Sequence, residues 1–364
     1  MKTRLLVLGG VLQFVSVSVA AQSSVNVYGI VNTGVNYTSN EAGKSISRVV
    51  DGGMQASRLG FKGDEDLGAG YRGIFTLEVG FSSDTGVLGQ SSTSGTTTTS
   101  RIFGRQSLVG LSSPWGTVSL GRQYDSMYDL RNYSGIAYVS SYAARPWSGS
   151  TLVGNNGSSN DFDRLVGTRV DNSVKISSQN FSGFTISGMY GLGENAGSTL
   201  PGSTVSGNLR YVSGPMDVGI SYTDRRDGTV NSAYKNWGVG GSYQIIPTLL
   251  LTTLYTNSKW TLTGDEVDVF EVGAKYNFTP ALQLGASYDY ISPNHGKTNV
   301  IFQGMHHQIN TSADYFLSKA TDVYVAASYQ KAESGYAARI AQMSPTDLAT
   351  SHQYLIEIGI RHKF

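Results

Sequence analysis

The chain contains no cysteine among its 364 residues, which excludes a disulfide scaffold, a thiolate zinc site, an iron–sulfur cluster and a cysteine nucleophile. Charge is sparse too, at 15%. The histidines, His295, His306, His307, His352 and His362, all fall late in the chain, and none stands in a pattern that pairs a nucleophile with an oriented base. His306 and His307 are adjacent, so on a strand they point to opposite faces and cannot share a metal ion. After residue 22 there is no uncharged apolar run of the roughly 20 residues that a membrane-spanning helix needs. These absences point away from an enzyme, and no cofactor or metal is expected.

What the chain has in excess is glycine, 45 residues, and tyrosine, 22, a composition suited to β-structure. The first residues stand apart from the rest. Lys2 and Arg4 precede an uncharged stretch from Leu5 to Ala20, and the small residues Ala20 and Ala21 lie just before Gln22. This is the pattern of an export signal peptide over 1–21, cleaved before a single domain over 22–364. Removal of Lys2 and Arg4 from the 27 basic residues leaves 25 against 26 acidic ones, so no basic excess exists to neutralise the phosphates of a nucleic acid.

Beyond the leader, apolar and polar residues alternate in segments of about ten, the period of a strand with one face apolar. Tyr354, Ile356, Ile358, Ile360 and Phe364 share one face, and Glu357, Gly359, Arg361 and Lys363 the other. The same holds for Phe270 to Phe278, Leu282 to Tyr290 and Val323 to Tyr329, with aromatic residues toward the ends of the apolar face. The joints alternate between short ones, such as Ser113 to Gly116 and Ser213 to Met216, and long polar ones, such as Ser82 to Ser100, Asp125 to Leu165 and Gln330 to Ser351. Tight turns at one end and extended loops at the other describe an outer-membrane barrel.

Counting segments between joints predicts an all-β, sixteen-stranded antiparallel transmembrane β-barrel, with strands starting near residues 25, 45, 70, 101, 116, 168, 183, 205, 216, 235, 248, 266, 281, 305, 321 and 353. Lipid offers no partner to an unpaired edge N–H or C=O, so Val25 to Tyr37 must pair with Gln353 to Phe364. A soluble sandwich or propeller would also give period-two strands. An inner face so rich in Gly, Ser, Asn and charge cannot form a packed core, which favours the barrel. With sixteen strands the interior is an aqueous channel.

The segment from about 125 to 165 is too long and too aromatic for an idle loop, so it is expected to fold into the lumen and narrow it. Parity assigns candidates to the pore wall. Leu59 and Phe61 face lipid, so Arg58 faces in; Tyr71 and Phe75 face lipid, so Arg72 and Glu78 face in. Arg105 is ambiguous by parity, and Arg122 and Arg169 flank the long loop. Together these arginines make the expected basic wall, with Glu78, Asp125, Asp129, Asp161 and Asp163 as the acidic side. Arginines on adjacent strands predict a weak anion preference for a channel that passes ions and small hydrophilic solutes.

Several stretches carry a family resemblance: Ser23 to Val35, Ser57 to Gly86 (SRLGFKGDEDLGAGYRGIFTLEVGFSSDTG), Gly104 to Asp129, Arg169 to Phe184, and a last strand ending in Phe364. The chain resembles Gram-negative general diffusion porins, most closely the β-proteobacterial trimeric porins. The resemblance implies a homotrimer in the outer membrane, in contact with its lipid and lipopolysaccharide. It implies that Arg58, Arg105 and Arg169 form the constriction's basic wall with Glu78 beside them, that the loop at Ser82 to Ser100 reaches a neighbouring subunit, and that the barrel assembly machinery reads Phe364. Two departures stand out. Enterobacterial relatives carry Pro-Glu-Phe-Gly-Gly on the constriction loop where this chain has Arg145 to Gly149 (RPWSG), and Ile30 replaces a frequent lysine.

Other signals carry less. Asp64, Glu65 and Asp66 form an acidic turn without the alternating oxygen ligands of a calcium loop. A channel selective for one small anion or sugar would share the architecture, but neither lumenal aromatic rows nor lysine clusters mark one. An adhesin or purely structural barrel would conduct nothing.

Overall fold

The computed structural model describes residues 24–41, 43–90, 92–94, 97–135, 169–294, 304–333, 336–338, 340 and 350–364. The expected leader over 1–21 and most of the long loop, with Asp161 and Asp163, lie outside the described residues. The strands are β1 (Ser24–Glu41), β2 (Lys44–Asp51), β3 (Arg58–Gly68), β4 (Tyr71–Gly80), a small hairpin of β5 (Ser92–Ser94) and β6 (Thr97–Thr99), β7 (Gln106–Ser113) and β8 (Gly116–Tyr124). A helix, α1 (Ser126–Ser134), follows, then β9 (Arg169–Ser178), β10 (Phe184–Gly191), β11 (Thr204–Ser213), β12 (Met216–Arg226) and β13 (Ala233–Ile246). The wall is completed by β14 (Leu249–Trp260), β15 (Glu266–Thr279), β16 (Leu282–Asn294), β17 (His306–Phe316), β18 (Thr321–Ala332) and β19 (His352–Lys363).

Seventeen of these segments form one antiparallel sheet that closes on itself. Both β2 and β3 pair with β1, so they are two halves of one wall strand and the barrel has sixteen. Closure joins β1 to β19 from Ile30↔Lys363 to Thr38↔Leu355, and Gly29 and Phe364 exchange both backbone hydrogen bonds at 2.9 and 3.1 Å. Among the described residues every wall strand is paired on both sides, as a sheet that spans lipid requires. The observed strand starts agree with the sequence reading to within two residues, except the fourth, which begins at Gln106 rather than 101.

The wall is inverted relative to a soluble fold. Along β1, Val25, Val27, Val31 and Val35 are exposed while Asn32, Asn36 and Thr38 are buried. Along β19, Ile356, Ile358 and Ile360 are exposed while Gln353, Glu357 and Arg361 are buried. Apolar side chains outside and polar ones inside suit a sheet whose outer solvent is hydrocarbon. Aromatic residues sit toward the strand ends: Tyr37 meets Tyr354 with ring centroids 5.9 Å apart, and Phe184 meets Tyr211 at 4.5 Å. Such rings suit the headgroup level.

One wall strand is interrupted by a long bulge. Asp51 pairs with Thr33 and Arg58 with Ile30, so six residues, 52–57, stand opposite only two residues of β1. This bulge begins at Gly52, whose φ of +85° is a left-handed conformation that glycine adopts without strain. The excess chain turns to the lumen, where Met54 packs with Tyr324 and Ala326.

Candidate functional site: the pore constriction

The described start of the long loop folds inward. Helix α1 opens on Asp125, whose carboxylate accepts from the Tyr128 N–H at 3.0 Å, a capping arrangement that satisfies a free helix donor. The helix packs on the inner faces of β11, β12 and β13. Met127, Leu130 and Tyr133 close an apolar cluster with Leu254, while Ser206 and Ser221 bond the backbone of Ser126 at 3.0 and 2.8 Å. Close approach requires a bare wall: a Cβ at Gly219 would lie 2.0 Å from the Tyr133 hydroxyl.

Beside the start of that helix, side chains from several wall strands converge. Arg105 Nε donates to Glu78 Oε1 at 2.6 Å, and its Nη2 donates to the Tyr124 hydroxyl at 2.9 Å. Arg169 Nη2 donates to the same hydroxyl at 2.8 Å, and its guanidinium lies 4.7 Å from the Tyr124 ring centroid, a cation–π distance. Tyr28 donates to the other oxygen of Glu78 at 2.9 Å. Tyr124 stacks on Tyr128 of α1 with centroids 3.7 Å apart, which ties the loop to this wall. Arg58 stands within electrostatic reach of Arg105, Glu78 and both tyrosines; its Nε donates to the Ala56 carbonyl at 3.2 Å. Two guanidinium groups, Arg105 and Arg58, therefore act on the Glu78 carboxylate, and Arg169 joins Arg105 on the Tyr124 hydroxyl.

Arg105 shows why parity left it open. On an unbroken strand it would share the outward face of Val109 and Leu111. Because β7 begins only at Gln106, Arg105 lies in the preceding bend and is free to turn inward.

Two arginines expected in the basic wall lie elsewhere. Arg72 pairs across the ladder with Asp66 beside the tight turn, whereas Arg58 pairs with Gly80 at the far end of the same two strands. Its guanidinium binds Asp64 at 2.5 Å, at a mouth of the channel rather than at its narrowing. Arg122 is on the other face. The register runs Phe61↔Leu77↔Ser107↔Arg122, so Arg122 extends an outward row. There it donates to Asp171 at 2.6 Å and to the Gly104 carbonyl at 2.8 Å, and Arg101 joins the same carboxylate. Parity gave Arg72 its face but not its depth, and Arg122 was assigned by nearness to the loop alone.

The acidic side also differs in detail. Asp125 is occupied as the helix cap and by Thr223 at 3.1 Å. Asp129 is held by Lys175 at 2.6 Å; desolvation in the crowded lumen pushes its carboxyl above the ordinary aspartate range, and the Lys175 ammonium acts against that shift. A second charged group went unanticipated: Arg361 binds Asp322 at 3.0 Å and Asp314 at 2.9 Å. The lumenal parity of Arg361 was legible, but its partners on β17 and β18 follow only from the register.

A closed sixteen-stranded barrel, apolar outside, polar inside, with an inward helix and a cluster of charged side chains in its lumen, defines a water-filled outer-membrane diffusion channel. The chain belongs to the Gram-negative porin family, whose model matches residues 7–335. An outer membrane porin protein of Bordetella pertussis is 28% identical over 405 residues, covering 94% of this chain and 95% of that one. Outer membrane porin protein 32 of Delftia acidovorans is 32% identical over 240 residues, covering 60% and 62%. Among solved structures, the anion-selective porin from Comamonas acidovorans superposes with a TM-score of 0.75 at 23% identity, covering 94% of this chain and all of that one. The trimer form of OmpT from Vibrio cholerae gives 0.66 at 16% identity, covering 94% and 99%. The protein is a porin of the outer membrane.

Proposed function

We propose that this porin is a passive, weakly anion-preferring channel for ions and small hydrophilic solutes, with Arg58, Arg105 and Arg169 as the selective wall. The observation that carries this reading is the charge imbalance at the narrowing: among the described residues Glu78 is paired with Arg105 and Asp129 with Lys175, and no described carboxylate forms an ion pair with Arg58 or Arg169. Arg58 and Arg169 then add a positive potential that low-dielectric walls focus onto the water between them. The similar Comamonas porin is described as anion-selective, which supports the same sign.

The same reading includes a leader over 1–21 removed on export, a constriction loop over about 125–165 that brings Asp161 and Asp163 toward the narrowing, and a homotrimer. It also includes outer-leaflet lipopolysaccharide around the girdle, recognition of Phe364 by the barrel assembly machinery, and no enzymatic step. Planar-bilayer recording tests the core of it. The expected result is a reversal potential of anion-selective sign under a KCl gradient and a solute flux that rises linearly with concentration. A cation-selective sign removes the arginine wall from the account, and saturation by one solute replaces general diffusion with a specific channel.

A further inference from the structure

The bulge at 52–57 is clamped from three wall strands, and it carries Arg58 at its exit. Asn32 of β1 holds it from below: its N–H donates to Ser57 Oγ at 2.9 Å, its Nδ2 donates to the Gln55 carbonyl at 2.9 Å, and its carbonyl accepts from the Gly52 N–H at 3.1 Å. Tyr324 of β18 lies beside it, packed against Met54, its hydroxyl 2.8 Å from both Asn32 Oδ1 and Glu357 Oε1. The Glu357 carboxylate of β19 lies against the Gly53 backbone. A Cβ at Gly53 would lie 1.7 Å from Glu357 Oε1, so the carboxylate sits where only a glycine backbone can meet it.

These contacts are costly to build into a polar lumen by chance. Glu357 is 4% exposed, Tyr324 2% and Asn32 fully buried, and a desolvated carboxylate needs its donors supplied by the protein. The donor here is the Tyr324 hydroxyl, and the carboxylate rests against the Gly53 backbone. Arg58 follows one residue after Ser57, and its Nε bonds to the carbonyl of Ala56 within the bulge. Where the bulge lies therefore decides where the Arg58 guanidinium stands in the narrowing.

We propose that Glu357, with Tyr324 and Asn32, is a positioning residue for ion selection: a buried acceptor that fixes the bulge and so holds the cation Arg58 in the constriction. The proposal rests on Arg58 being part of the selective wall, and it makes an unusual demand. Glu357 is itself an anion lining the lumen, so deleting its charge alone would raise anion preference. Deleting its anchoring function would lower it, because Arg58 leaves its place. The two effects have opposite signs.

The test compares E357A, E357Q, Y324F, R58Q and the double variant E357A/R58Q by reversal potential under a KCl gradient. Glutamine keeps an acceptor oxygen and the side-chain length without the charge; alanine removes the anchor. The expected result is that E357A lowers the anion-to-cation permeability ratio as far as R58Q does, that Y324F lowers it in the same direction, and that the double variant falls no further than R58Q. E357Q is expected to hold or raise the ratio. Bilayer recording reads only inserted channels, so poor folding reduces the number of insertions and leaves the potential interpretable. If E357A raises the ratio like E357Q, or leaves it unchanged, Glu357 acts only as a charge or not at all and the positioning role is lost. If R58Q itself leaves the ratio unchanged, the failure lies with the arginine wall rather than with the clamp.

Discussion

The Glu78 carboxylate is shared between Arg105, 2.6 Å from Nε, and the Tyr28 hydroxyl at 2.9 Å. Both members of the ion pair are nearly inaccessible, at 5% and 4% side-chain exposure. Under the proposed function, Glu78 neutralises one arginine of the selective wall and leaves Arg58 and Arg169 to set the field. Breaking a buried pair by removing one partner costs about 3 kcal/mol, because the other charge stays buried and uncompensated. E78A is thus expected to lower the thermal midpoint of the folded channel and to raise its anion preference. Heat-dependent gel migration and reversal potentials measure the two effects separately.

Depth along the barrel, rather than charge alone, should rank the arginines. A unit charge at contact distance in water-like surroundings is worth about 1 kcal/mol, which salt reduces. R58Q and R169Q are each expected to lower the anion-to-cation permeability ratio roughly two- to fivefold on that basis. R72Q at the mouth and R122Q on the outer face should leave the ratio near that of the parent. Equal effects from all four would mean that total charge, not position, sets selectivity.

Acidification should strengthen anion preference before ordinary aspartates titrate. The Asp129 carboxyl is shifted upward, so as pH falls it takes up its proton at a higher pH than a free aspartate does. Its partner Lys175, 2.6 Å away, is then left as an unneutralised lumenal cation. The anion-to-cation ratio is expected to rise through this range, and D129N should start high and show a smaller rise. A pH series of reversal potentials on the two channels makes the comparison.

Bulk at Gly219 should lift the loop helix off its wall. With the Tyr133 hydroxyl only 2.0 Å from the position of a Cβ, G219V forces Tyr133 and the helix behind it toward the channel axis, since packed groups cannot interpenetrate. Single-channel conductance is expected to fall, and the size of the largest permeating neutral sugar with it. Unchanged conductance would show that this end of the loop does not set the pore width.

What the chain determined by itself was the wall. Alternation in segments such as Tyr354 to Phe364 fixes which side chains face lipid, because strand parity is a local property. The need to leave no edge in hydrocarbon fixes the pairing of the first strand with the last, here from Ile30↔Lys363 to Thr38↔Leu355. What only the tertiary structure decided was which charges meet. Arg72 and Arg58 lie on the lumen side of neighbouring strands, yet the ladder sets them at opposite ends. The bend before Gln106 turns Arg105 inward, and register carries Arg122 outward. Tyr324 and Asn32 meet across 292 positions of sequence. Depth, bends and such distant pairs depend on how strands slide past one another, and no local pattern records that shear.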